Sequence, residues 1–109
     1  MEFFKNLPEQ PNALADLIEI KPNRVISMSL SKIDNCQMML MAVSKGEEIT
    51  TEQYPGDALY YVLEGVMSLQ RDGKIYEMTK NQIVVIPKGV KHAIGGKVDF
   101  KILQMILMK

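Results

Sequence analysis

Alternating apolar and polar residues run through most of this chain and predict strands. The stretch 25–31 alternates large apolar residues with serines, which is typical of a strand with one buried face. The stretches 36–43 and 59–63 are apolar on both faces, apart from one glutamine, as expected of strands inside a sandwich or barrel. Further strands are predicted at residues 66–70, 74–78, 83–86, 90–94 and 98–108. Eight or nine short strands with little helical periodicity indicate an all-β sandwich or barrel.

Turn signals separate these strands. The dipeptide Asp72-Gly73 lies between two predicted strands, and it readily adopts the positive φ angles of a two-residue hairpin turn. A Pro-Gly turn precedes the apolar stretch 59–63, and Gly65 closes it. The sequence therefore predicts a hairpin over residues 66–78, directly after a central strand within residues 55–65.

Residues 1–22 differ from the rest of the chain and are interpreted as an N-terminal arm, followed by a barrel over residues 23–109. Two prolines near the start discourage a regular element. The apolar residues of 13–20 fit neither the helical nor the strand period, so a short helical turn and an edge strand both stay open. We interpret the arm as a candidate dimerisation segment that adds a strand to a neighbouring subunit's sheet.

Charge and cysteine content narrow the classes of partner. The 109 residues include 13 basic and 13 acidic side chains, so there is no basic field for nucleic acid or for an anionic membrane. We therefore expect a small neutral molecule as the partner, with neither nucleic acid nor membrane bound. The single cysteine, Cys36, cannot form an internal disulfide, and the N-terminus lacks the apolar region of a signal peptide. No run of about eighteen apolar residues is present, and the predicted location is cytoplasmic.

Residues 46–65 resemble the first motif of the cupin family. That motif runs between two glycines, and Gly46 and Gly65 occupy its ends here. Its three ligand positions fall on Glu52, Tyr54 and Ala58. The resemblance implies that this stretch surrounds the functional site of the barrel.

A second motif of the same family supports the resemblance. Asn81 stands at its first position, followed by Pro87-Lys88-Gly89 and then by His92. Two motifs in the family's order imply the cupin fold, a double-stranded β-helix or jelly-roll barrel, preceded here by the arm.

The ligand positions of cupins hold a divalent metal ion, which makes His92 and Glu52 the metal candidates that the resemblance implies. Imidazole and carboxylate groups both bind such ions, whereas Tyr54 is an uncommon ligand and Ala58 cannot ligate. Asp57 precedes the alanine and reaches the same pocket only if the strand is irregular after the Pro-Gly turn. A divalent transition metal is therefore the implied cofactor, and the sequence leaves open whether one is bound.

The candidate ligand pocket comprises Glu52, Tyr54, Asp57, His92 and Met38. Met38 is included because the chain has nine methionines, and those that face inward would give a deformable apolar cavity. Adaptable filling of the core is the alternative interpretation of the methionines.

The function predicted from these residues is binding of a small molecule inside the barrel, with Glu52, Tyr54 and His92 orienting the ligand. The alternative is an enzyme of isomerase, epimerase or dioxygenase type, either metal-dependent or metal-free. In the metal-free form, His92 exchanges protons with the substrate together with Glu52 or Tyr54. The resemblance to small cupins also implies a homodimer with twofold symmetry.

Overall fold

Two antiparallel sheets face each other across an apolar core. The computed structural model describes residues 3–108, without the side chain of Thr51, so residues 1 and 2 of the predicted arm and residue 109 of the predicted barrel lie outside it. Within this range, one 3₁₀ helix, Leu14–Leu17, precedes nine strands. The strands are β1 (Val25–Ile33), β2 (Cys36–Val43), β3 (Glu48–Glu52), β4 (Asp57–Glu64), β5 (Met67–Arg71), β6 (Lys74–Met78), β7 (Ile83–Ile86), β8 (His92–Gly95) and β9 (Phe100–Leu107). The all-β prediction is confirmed.

The strands form a five-stranded sheet in the order β1-β2-β9-β4-β7 and a four-stranded sheet in the order β3-β8-β5-β6. β4, the predicted central strand, lies between β9 and β7. β6 and β7 are edge strands of different sheets, and residues 79–82 join them. β3 carries a polar run that the alternation did not predict as a strand.

The core consists of the alternate residues of each strand that face the opposite sheet. On β4 these are Ala58, Tyr60 and Val62, which are buried, whereas the intervening Leu59 and Tyr61 are half-buried on the outer face. The same alternation along β9 buries its even-numbered residues. On the inner face of β4 these residues pack in the core, whereas on its outer face Leu63 packs with the N-terminal segment.

The predicted hairpin is formed by β5 and β6. Asp72 and Gly73 have φ angles of 52° and 75°, and Arg71 pairs with Lys74 across the turn. Positive φ at both central positions is the backbone of a type I′ turn, which matches the twist of the two strands. This turn fixes which residues of β5 and β6 face the core.

The N-terminal segment covers part of the outer face of the chain's own five-stranded sheet. Within residues 13–20, Leu14–Leu17 form the short 3₁₀ helix, and none of these eight residues belongs to a strand. The segment's apolar side chains pack there together with residues of β1 and β2: Leu7, Leu14, Leu17, Ile18 and Ile20. Lys101 on β9 fastens it, because its Nζ donates to the carbonyl of Ala15 at 2.8 Å and lies 3.5 Å from the carboxylate of Glu64.

The first residues of the described chain lie beside β1, the edge strand of the same sheet. The backbone N–H of Lys5 donates to the carbonyl of Leu30 at 2.9 Å, and Nδ2 of Asn6 donates to the carbonyl of Ser29 at 2.8 Å. These bonds are made within one chain. Among residues 3–108, no helix is long and apolar enough to cross a membrane.

Candidate functional site

Five polar side chains meet between the two sheets and are called the polar cluster: Glu52, Tyr54, Tyr60, His92 and Gln104. Cross-strand register brings four of them together. Tyr60 on β4 is paired with Gln104 on β9 in one sheet, and Glu52 on β3 is paired with His92 on β8 in the other. Because paired residues project from the same face of a sheet, the two pairs confront each other across the interior.

A β-bulge sets the position of Glu52. Ile49 pairs with Ile94, and regular pairing would then place Thr51 opposite His92. The register shifts between Ile49 and Glu52, so that Glu52 takes that place instead. An extra residue in one strand reverses the direction of the side chains that follow it. The bulge therefore turns the carboxylate of Glu52 towards the same side as the imidazole.

Hydrogen bonds connect four of the five side chains, all except Glu52, in a single chain. Nδ1 of His92 lies 3.0 Å from the carbonyl of Val90, which only accepts, so this nitrogen carries the proton. In the neutral imidazole, Nε2 is then an acceptor, and the hydroxyl of Tyr60 donates to it at 2.7 Å. The Tyr60 oxygen accepts in turn from Nε2 of Gln104 at 3.2 Å, and the same amide group donates to the hydroxyl of Tyr54 at 3.1 Å.

The aromatic rings of the cluster also pack against one another. The ring of Tyr60 meets that of His92 edge-on, with centroids 5.5 Å apart and an interplanar angle of 71°. The ring of Tyr54 lies 5.8 Å from His92 at 52°. Edge-to-face contact of this kind adds to the burial of the rings and holds the imidazole in one orientation.

Burial raises the pKa of the two tyrosines of the cluster and so disfavours their ionisation. Tyr60 is fully buried and His92 is 4 % exposed. Burial raises the pKa of Tyr60 strongly, and the neighbouring Tyr54 raises it further. Burial also raises the pKa of Tyr54, and the nearby carboxylate of Glu52 acts in the same direction. Both phenols are therefore neutral hydrogen-bonding groups at physiological pH.

The polar cluster does not fit a divalent metal ion. His92 would have to ligate through Nε2, and that atom faces the hydroxyl of Tyr60 at hydrogen-bond distance. The other ring nitrogen is committed to the Val90 carbonyl. Ala58, at the third ligand position of the motif, is buried and offers no donor atom. Among the residues described, no three His, Cys, Asp or Glu side chains are grouped so that they could hold a metal ion.

Two of the predicted pocket residues lie away from the cluster. Asp57 is exposed, and its carboxylate accepts from the backbone N–H of Lys88 at 2.8 Å, so it supports the turn before β8 instead of entering the barrel. Met38 packs with the N-terminal segment on the outer face of the five-stranded sheet. Its neighbour Met39 is the residue that faces the core. The placement predicted for both residues is corrected on these grounds.

Sequence reasoning brought Glu52, Tyr54 and His92 together but missed Tyr60 and Gln104. Tyr60 could not be identified because Tyr61 follows it, and the sequence does not show which of the two side chains faces inward. Gln104 gave a clearer signal. It stands between Ile102 and Ile106 on the buried face of the last strand, and a polar residue in such a place needs a partner inside. Among the described residues, no buried side-chain nitrogen or oxygen lacks one.

A cavity of about 690 Å³ lies between the edge strands β6 and β7 and is called the β6–β7 cavity. Its walls are Leu69, Arg71, Tyr76, Glu77, Met78, Asn81, Gln82, Ile83 and Val84. Val84 is the cross-strand partner of Tyr60, so the inner end of the cavity lies next to the polar cluster. The gap between the two sheets at this edge therefore leads from solvent towards the barrel interior.

Comparison with known proteins places the chain in a family. The family model described as "Cupin domain" matches residues 39–106. A cupin superfamily protein from Desulfitobacterium hafniense is 38% identical, with 97% of this chain and 98% of that chain covered and a TM-score of 0.94. A cupin 2 conserved barrel domain protein from Leptotrichia buccalis is 32% identical, with 86% of this chain and 46% of that chain covered and a TM-score of 0.83.

A conserved protein of unknown function from Streptococcus pyogenes has the same fold. It is 24% identical, with 100% of this chain and 96% of that chain covered and a TM-score of 0.94. No curated protein matches the chain.

Proposed function

Because this chain belongs to the cupin superfamily, and its barrel has the cupin fold, we propose that it binds a small organic molecule in the β6–β7 cavity without a metal ion. The observation that carries the proposal is the cavity itself. Its volume of about 690 Å³ is in the range of small-molecule sites, and its walls combine apolar residues from both sheets with polar and charged side chains. Leu69 and Met78 come from one sheet and Val84 from the other.

The polar cluster lies next to the inner end of the cavity and stabilises the position of its wall. Tyr60 stands beside Val84 in the next strand, and its hydrogen bond to His92 connects the two sheets, whereas its bond to Gln104 lies within its own sheet. A site is better organised for binding when its walls are held by packed and hydrogen-bonded neighbours. In this proposal, the residues at the motif's metal-ligand positions stabilise the barrel and do not contact the small molecule.

The geometry favours binding over catalysis by His92. A general base must come within hydrogen-bond reach of the substrate proton. Both ring nitrogens of His92 are already engaged, and the ring is almost completely buried. The enzyme alternative with Glu52 or Tyr54 as the second proton carrier would need the chain of hydrogen bonds to open first.

We also propose that the protein is a homodimer that associates through the uncovered part of the outer face of the five-stranded sheet. The N-terminal segment leaves a row of apolar outer-face residues uncovered on this sheet: Leu59, Ile83, Val85, Met105 and Leu107. Val85 and Ile83 are 50 % and 61 % exposed. A twofold axis through such a patch covers it on both copies at once. The predicted cytoplasmic location stays a prediction.

The test of ligand binding is an NMR screen of small organic fragments with the full-length protein labelled with ¹⁵N. We expect some fragments to shift the resonances of residues that line the β6–β7 cavity. The blocking variant is Val84→Phe, which places a larger side chain in the cavity. Its control is Ile75→Phe, because Ile75 is exposed on the opposite face of the neighbouring edge strand.

Fragments that bind the wild type and the Ile75→Phe variant, but not a folded Val84→Phe variant, support the proposal. A Val84→Met variant with its smaller increase in volume serves if Val84→Phe fails to fold, since overpacking costs about 1–3 kcal/mol. A screen in which the shifts map elsewhere, or are unchanged by the blocking variant, overturns the proposed site.

A further inference from the structure

Resting on the proposed binding function, we infer that the ligand of the β6–β7 cavity is an organic carboxylate with an apolar body, and that Arg71 binds its charged end. No part of the sequence pattern or of the family resemblance pointed to Arg71. The inference comes from the position of its side chain relative to the cavity and from the charges around it.

Alternation along β5 aims Arg71 at the interior. Met67 and Leu69 are buried core residues, and Arg71 is the next residue on the same face of the strand. It is the last residue before the type I′ turn, which fixes the register with β6. Arg71 is therefore a wall residue of the cavity at the turn end of the hairpin, next to Leu69 on the same face of β5.

The walls of the cavity include two charged residues, Arg71 and Glu77, of which Arg71 lies on the inward face of its sheet. The ion pair that the structure gives Arg71 is a single contact of 3.4 Å from its Nε to Asp72, whose carboxylate is 70 % exposed. A single contact with so exposed a carboxylate contributes little. The acidic residue among the walls is Glu77, and it faces the outer side of the sheet, where it accepts from the hydroxyl of Ser68 at 2.7 Å.

The side chain of Arg71 suits a carboxylate in particular. It is about one-quarter exposed, so a charge next to it is partly shielded from water. A guanidinium presents parallel N–H donors that match the two oxygens of a carboxylate. The rest of the cavity offers the apolar side chains of Leu69, Met78 and Val84, which would contact a hydrocarbon body.

The experiment compares carboxylates with the neutral amides of the same shape. The probes are benzoate, 4-methylbenzoate and 4-methylpentanoate, each beside its primary amide, titrated to millimolar concentration into the ¹⁵N-labelled full-length protein. We expect each carboxylate to bind about tenfold more tightly than its amide. Arg71→Gln should remove this preference, and Arg71→Lys should retain part of it because the positive charge remains.

The control is Lys97→Gln, which removes the same charge at an exposed position outside the cavity walls and should leave the preference unchanged. Equal binding of acids and amides overturns the inference about charge and leaves the proposed binding site standing. A preference that persists in Arg71→Gln overturns the role of Arg71. Probes that all fail to shift cavity resonances contradict the binding site and this inference together.

Discussion

The hydroxyl of Tyr60 lies 2.7 Å from Nε2 of His92 inside the barrel, at the place where the motif of this family leads one to expect a metal ligand. The phenol supplies what an ion would otherwise supply, a partner for the acceptor nitrogen of a buried imidazole. Gln104 completes the arrangement by donating to the same phenol oxygen. The polar cluster is thus complete with protein groups alone.

Removing the phenol hydroxyl should destabilise the protein. In Tyr60→Phe, the acceptor nitrogen of His92 stays buried without its donor, and an unpaired buried polar group costs about 1–3 kcal/mol. We expect the free energy of unfolding in urea to fall by that amount. The matched control is Tyr61→Phe, one residue along the strand.

Tyr61 faces the outer side of the sheet, where its hydroxyl donates to Oδ1 of Asn81 at 2.9 Å in contact with solvent. Water can replace that bond, so this variant should stay within about 0.5 kcal/mol of the wild type. Equal losses in the two variants would mean that the buried hydrogen bond to His92 has no special weight.

Stability should fall at alkaline pH. The pKa values of Tyr54 and Tyr60 are raised above the ordinary 10.0 in the folded protein, so the folded state retains phenol protons that the unfolded chain loses. The stabilisation is complete below pH 10 and is lost as the pH rises towards the folded-state values, by up to about 1.4 kcal/mol per pH unit for each tyrosine.

Urea unfolding measured at a series of pH values above neutrality tests this dependence. The Tyr60→Phe variant has one such group fewer, so its free energy of unfolding should decline less steeply above pH 10. Parallel declines in variant and wild type would show that Tyr60 ionises as easily in the folded protein as in the unfolded chain.

A charge on the uncovered apolar face should separate the proposed dimer. We expect light scattering to give the wild type twice the chain mass of 12.4 kDa, and Val85→Lys to give the single mass. The exposed position of Val85 makes the lysine harmless to folding. The control is Ile75→Lys, on the outer face of the other sheet, which should remain a dimer. A monomeric wild type would remove the proposal.

Deleting residues 1–12 distinguishes the two roles considered for the N-terminal arm. Residues 5 and 6 make their backbone and amide hydrogen bonds to β1 of the same chain, and Leu7 packs on the same sheet. We therefore expect the truncated protein to keep its dimeric mass but to unfold at lower urea concentration. A truncated protein that becomes monomeric would instead favour exchange of the arm between subunits.

The sequence predicts the fold well because local signals agree with the tertiary structure. Alternation marks β1, Asp72-Gly73 marks the hairpin between β5 and β6, and the apolar residues of β4 mark a strand that pairs with a neighbour on each side. The strand β3 could not be predicted because its residues are polar. Its place is set by pairing with β8, which only the folded chain reveals.

The candidate site is harder to predict from the sequence than the fold is. In β2 almost every residue is apolar, so nothing local distinguishes the outward Met38 from the inward Met39. The bulge that aligns Glu52 with His92 has no sequence signature of its own. The β6–β7 cavity depends on two strands of different sheets, and the importance of Arg71 appears only when both are in place.

Metal content is the most direct test of the polar cluster, because protein groups lie there at the place where the family's metal ion is expected. The protein should be purified without an affinity tag, incubated with manganese, iron(II), nickel or zinc salts, desalted, and analysed for metals beside His92→Ala treated identically. We predict far less than one ion per chain in both proteins. Close to one ion per chain in the wild type, lost in the variant, would contradict the account and return His92 and Glu52 to the role of metal ligands.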